Sequence, residues 1–155
     1  MDCLRPLTIL VGTMSGTAQL VAEEVADAAA AQGVTAEVVA MDGLDATVLS
    51  RECPVLICTS TYGQGDVPDN AQDFFAALET TRPDLSGLVY GVIALGDRTY
   101  GQTYCFGGKR FDALLTELGA RRIGEVMLHD ASAGTIPEEA AVAWIGPWLK
   151  LLAAA

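Results

Sequence analysis

Short apolar runs alternate along the chain with longer segments in which apolar residues recur every three or four positions. The runs cover residues 7–11, 36–41, 55–58 and 88–95, with a weaker one at 123–128, and each is separated from the next by enough chain for a helix. In the first intervening segment, residues 18–32, Val21, Val25, Ala28 and Ala29 fall at helical spacing and Gly33 follows as a C-cap. The same reading predicts helices over 71–80, over 106–118 with Gly119 closing it, and over 137–152. Strands alternating with helices imply right-handed crossovers, and so an α/β domain: a doubly wound, five-stranded parallel sheet covered on both faces.

The last helix carries its own start signals, Thr135 and Glu138 at capping-box separation and Pro137 near the first turn. Trp144 and Trp148 lie one turn apart on a face shared with Leu151 and Leu152, a pattern of core packing, and Gly146-Pro147 is expected to kink or divide the helix. In sheets of this type ligands bind beyond the carboxyl ends of the strands, which directs attention to the loops after the first, third and fourth.

Composition narrows the setting. A chain of 155 residues, 51% hydrophobic and 19% charged, suits one soluble domain spanning 1–155. MDCLRP lacks the pattern of a signal peptide and no apolar stretch reaches about 18 residues, so a cytoplasmic location is expected. The net charge of −11 argues against nucleic acid and anionic membrane and favours a partner with a basic surface. Between Arg5 and Arg51 there is no Lys or Arg, while Glu23, Glu24, Asp27, Glu37, Asp42 and Asp45 fall in that gap, so the first loop has no local cation. Cys3, Cys53, Cys58 and Cys105 show no C-x-x-C spacing, and His129 is the only histidine, which leaves no zinc ligand set. Cys53 and Cys58 read as packing residues; Cys105 opens a helix, where packing again outweighs a reactive thiol. His129 and Asp130 read as structural or solvent-exposed.

The candidate chemistry lies in three loops. The first, GTMSGTA at 12–18, puts two glycines and the hydroxyls of Thr13, Ser15 and Thr17 where a strand meets a helix, an arrangement that lets an anion approach the helix N-terminus. It lacks the lysine of a Walker A loop and the spacing of G-x-G-x-x-G. Taken alone, the same residues serve equally as an ordinary N-cap by Ser15 or Thr17. The second loop, STYGQGDVPDNA at 60–71, places Tyr62 beside Gly63 and Gly65; Asp69 or Asn70 reads as a cap for the next helix. The third, LGDRTYGQTYC at 95–105, carries Tyr100 and Tyr104 soon after Gly96-Asp97. An anion cradle and two aromatic plates at one sheet edge fit a planar ring bearing a phosphate.

These stretches, T-M-S-G-T-A, S-T-Y-G-Q-G-D-V-P-D-N-A and A-L-G-D-R-T-Y, resemble the three flavin-binding loops of flavodoxins and diflavin-reductase FMN domains, and the ending IPEEAAVAWIGPWLKLL is similar to that of the MioC type of short-chain flavodoxin. The resemblance covers nearly the whole chain. It implies a flavodoxin-like fold and FMN as cofactor, with Thr13, Met14, Ser15, Gly16, Thr17 and Ala18 around the phosphate. Tyr62 and Tyr100 would stack on opposite faces of the ring, and Ser60, Thr61, Gly63 and Gly65 would line its edge. The Gly63 carbonyl would be able to turn toward flavin N5, and Leu95, Gly96, Asp97, Tyr104 and Cys105 would shape the far side. The implied activity is low-potential one-electron transfer between a flavodoxin reductase-type donor and redox enzyme acceptors with basic docking surfaces, by a monomer that is not itself an enzyme. Asp66, Asp69, Asp73 and Glu79 would steer such partners, or form only a solvated helix face.

The alternative within the same fold is an NAD(P)H-dependent FMN or quinone reductase, which two stacked tyrosines disfavour by leaving little room for a nicotinamide. A receiver domain needs acidic residues after the first strand and an Asp after the third. A low-molecular-weight phosphatase needs C-x5-R after the first strand. The sequence carries neither pattern.

Overall fold

The computed structural model describes residues 6–13, 16–49, 53–61, 67–96 and 105–154. One parallel sheet runs through them, formed by β1 (Leu7–Gly12), β2 (Ala36–Ala40), β3 (Val55–Thr59), β4 (Val89–Gly96), β5 (Arg121–Arg122) and β6 (Met127–Asp130). The order is β2-β1-β3-β4, with β5 and β6 both on the far side of β4. Consecutive burial explains the order: β3 is buried at every position and β1 and β4 nearly so, whereas β2, at the edge, is only half-buried.

Helices cover both faces. On one, α1 (Thr17–Ala31) and α4 (Pro137–Ala154) pack on Leu7, Ile9, Val11, Leu56, Cys58, Ile93 and Leu95. On the other, α2 (Asp69–Thr81) and α3 (Phe106–Glu117) pack on Leu10, Val55, Ile57, Tyr90, Val92 and Ala94. The two-residue period of the strands sorts side chains between the layers. Both expected glycine caps form. Gly33 (φ 85°) and Gly119 (φ 105°) take the left-handed conformation, and each helix end closes with paired bonds: Gly33 N to Ala30 O with Val34 N to Ala29 O, and Gly119 N to Thr116 O with Ala120 N to Leu115 O.

The fifth strand departs from expectation by being broken. Between the β4 pairings Tyr90↔Arg122 and Ile93↔Met127 the edge side carries two more residues than β4. The detour contains Gly124 (φ 71°), and at its start the Ile123 carbonyl accepts a 2.8 Å hydrogen bond from Trp148 Nε1. Gly91 on β4 makes room for that indole, since a Cβ there would stand 2.6 Å from three of its atoms.

The carboxyl-terminal helix corrects two expectations and excludes one of the two alternatives expected at Gly146-Pro147, a divided helix. It is not divided at Gly146-Pro147 but continues to Ala154, held by buried Ile145, Trp148 and Leu149 on either side of the exposed Pro147. Thr135 does not cap it: the Ile136 carbonyl accepts the first helical bond from Ala140 N, and Thr135 Oγ1 lies 2.9 Å from Nε2 of the buried His129. Trp148 and Leu152 face the core, but Leu151 is exposed and covers Gly124. No helix among the described residues is long and apolar enough to cross a membrane.

Candidate functional site at the carboxyl edge of the sheet

The sheet winds in opposite directions from β1 and β3, so their carboxyl ends open a crevice between α1 and α2. Register aligns Gly12 with Thr59 and Thr59 with Ala94, which brings all three candidate loops out side by side. Ser60 N donates to Gly12 O at 3.0 Å. Gly12 must be glycine for close approach, since a Cβ would stand 2.6 Å from Thr59 Oγ1 and 3.2 Å from Ala71 Cβ.

Beyond Gly12 the first loop is tied at both ends. Thr13 N donates to Asn70 Oδ1 at 2.8 Å, and Thr13 Oγ1 accepts from Gly16 N at 2.9 Å while keeping its own proton to donate. Gly16, at φ 91°, is the N-cap of α1, with open space where a side chain would stand. The N-cap is therefore neither Ser15 nor Thr17: Thr17 is the first helical residue and Ser15 lies outside the described residues. A glycine cap supplies no side-chain acceptor, and the first turn carries no acid. Both features suit an external anion at the positive end of the helix. Ala18 is fully buried, and its carbonyl accepts a 3.4 Å hydrogen bond from Cys58 Sγ. Burial pushes that thiol up to about 12, so Cys58 stays protonated.

The second and third loops are joined through Thr61. Its hydroxyl donates to Leu95 O at 3.0 Å and accepts from Gly107 N at 3.0 Å, which links the ends of β3 and β4 to the start of α3. Gly107 and Gly108 permit this closeness, because Cβ atoms would collide with Ser60 O and with Ala94. Gly96 backs onto Cys105, whose nitrogen would lie 2.5 Å from a Cβ. Cys105 is the N-cap of α3 at φ 58°, fully buried, and its Sγ donates to Ala94 O at 3.3 Å and His129 O at 3.6 Å. Its side chain, like that of Ala18, supports the edge from behind.

The described residues thus gather Thr13, Gly16, Thr17, Ser60, Thr61, Leu95 and Gly96 at one edge. Met14, Ser15, Tyr62, Gly63, Gly65, Asp97, Tyr100 and Tyr104, with Asp66 of the acidic group, lie outside the described residues. Neither Asp69 nor Asn70 is the α2 cap; Pro68 holds that position, and Asn70 reaches back to the first loop. Sequence reasoning missed Asn70 as part of the site, and missed Gly107-Gly108. The glycine pair was a signal, since two glycines inside the first turn of a helix are costly unless something packs closely there. No group among the described residues could hold a metal ion.

A doubly wound parallel sheet with a switch point between β1 and β3 defines an α/β domain of the class whose ligand sites, where present, lie at the carboxyl edge. The flavodoxin family profile matches residues 9–144, and the chain belongs to that family. It is 43% identical over 149 residues to flavodoxin YqcA of Escherichia coli K12, covering 96% of this chain and 99% of that one. It is 34% identical to the MioC protein of the same strain, with the same coverage. A solved cysteine-to-alanine variant of a Pseudomonas aeruginosa flavodoxin superimposes with a TM-score of 0.84 at 34% identity, over 95% of this chain and 98% of that one.

Proposed function

We propose that this chain binds FMN at the carboxyl edge and acts as a low-potential one-electron carrier between a reductase and acceptor enzymes with basic docking surfaces. The observation that carries the proposal is the start of α1: a left-handed glycine N-cap with no side-chain cap, no acid in the first turn, and open space in front. A phosphate monoester fits that cradle through the first-turn N–H groups and the hydroxyls of Thr13, Ser15 and Thr17. The tyrosine rings of Tyr62 and Tyr100 would sandwich the flavin. Thr61 contributes by holding its loop against β4 and α3, its hydroxyl being engaged there.

When bound, flavin supplies chemistry that accepts electrons one at a time. The chain's part is to bind, orient and tune it. No Lys or Arg occurs between Arg5 and Arg51, and the net charge is −11, so extra negative charge on the ring is disfavoured and the reduced cofactor is a strong reductant.

Stepwise reduction followed by visible absorbance tests this reading. The expected result is a yellow protein with one FMN that passes through a blue stage before bleaching and does not turn over NAD(P)H on its own. A chain that ignores added FMN would overturn the cofactor assignment. Steady NAD(P)H consumption would replace the carrier with a reductase.

A further inference from the structure

We infer that Asn70 is a positioning residue for the phosphate-binding loop, acting as a one-residue extension of the sheet beside Thr13. The inference rests on the FMN reading above and adds a residue which that reading does not use. Its basis is a gap in the β1–β2 ladder. Met41 N donates to Val11 O at 2.9 Å, so in a continuing parallel ladder Met41 O would next accept from Thr13 N. The chain turns away instead, and Met41 O accepts from Leu44 N at 3.2 Å.

Asn70 fills the place left open. Its Oδ1 accepts from Thr13 N at 2.8 Å and so supplies the acceptor that Met41 O does not, while its Nδ2, at 3.2 Å, adds a second donor to the Val11 O that Met41 N already reaches. Nδ2 also donates to Asp42 Oδ2 at 3.3 Å. All three partners require the same orientation of the amide, and the carboxylate cannot be satisfied by the flipped one.

The consequence passes down the loop. With its nitrogen held, Thr13 is placed for its hydroxyl to receive Gly16 N, and Gly16 sets the start of α1. The anion-binding end of the helix is then ordered before any ligand arrives, and ligand binding need not supply that ordering free energy. A group that binds through its phosphate benefits from this; one that binds only through its ring does not.

Comparing FMN with riboflavin, which lacks the phosphate, isolates the effect. Dissociation constants are measured by flavin fluorescence for the native chain and for Asn70→Ala, with far-UV circular dichroism confirming the fold. The expected result is about tenfold weaker FMN binding with riboflavin changed less than about twofold. Asn70→Ser, whose side chain is too short to span Thr13 and Val11, serves as a second variant and should show the same selectivity. Amide exchange in the ligand-free protein gives an independent readout: the Thr13 N–H is protected in the native chain and loses protection in both variants. Equal weakening of both ligands, or no weakening of FMN, would overturn the inference. Failure of the native chain to bind FMN would overturn the function itself, without reference to Asn70.

Discussion

Two side chains, Cys58 and Tyr90, contribute to how the fold responds to alkali. Cys58 lies between β3 and α1, and burial alone moves its thiol from 9.0 to about 12. Tyr90 is raised too, first by burial and then by its 2.6 Å hydrogen bond to Asp112, which is itself paired with Arg122. Each group holds its proton more tightly folded than unfolded. For Cys58 the stability this confers is complete below the unfolded thiol value near 9.0 and is lost progressively as pH climbs toward 12, and for Tyr90 the loss sets in at higher pH. Urea midpoints measured across that window should fall, with Cys58→Ala flattening part of the decline; a midpoint constant to pH 11 would contradict the assignment. At this scale the sequence was a good guide to burial and a poor one to partners. Cys58 was legible as packing from its apolar run, but nothing in P-D-N-A says that Asn70 bonds to a loop 57 positions away.

Strands and helices were legible because local period and burial agree. Consecutive apolar runs became central strands, and glycines after periodic segments became left-handed caps. The break between β5 and β6 was not legible, since it depends on an indole from α4 reaching Ile123 across the sheet. Nor was the continuity of α4, because tertiary burial of Ile145, Trp148 and Leu149 holds together a helix that Pro147 alone would interrupt. Pro147 is exposed, so its ring contributes little packing while its missing N–H leaves the Ala143 carbonyl without a helical donor. Pro147→Ala should therefore stabilise the protein by about 1–3 kcal/mol, read as a higher unfolding midpoint. An unchanged or lower midpoint would mean that the proline is compensated elsewhere.

For the whole molecule, the topology was legible in the sequence: the switch point follows from strand order, and the described starts of the three candidate loops leave the sheet side by side there. What remained hidden was the ligand-independent scaffolding, the Thr61 and Asn70 ties, because these join loops distant in the chain. The charge of −11 acts at this scale as well. Electron transfer to the proposed basic partner should slow by about tenfold or more as ionic strength rises from roughly 0.01 to 0.2 M, in line with screening of steered encounters. A flat stopped-flow profile would remove electrostatic steering from the account.

The stacked indoles of α4 bear on how this protein can be watched. Trp144 and Trp148 are the only tryptophans in the chain, their ring centres 5.5 Å apart. Trp148 is anchored to the break in the fifth strand and seated over Gly91. Tryptophan emission from the entire molecule thus originates in a single helix against a single edge of the sheet. An optical trace at tryptophan wavelengths is a gauge of whether the carboxyl-terminal helix is docked, read against circular dichroism, which averages over every element.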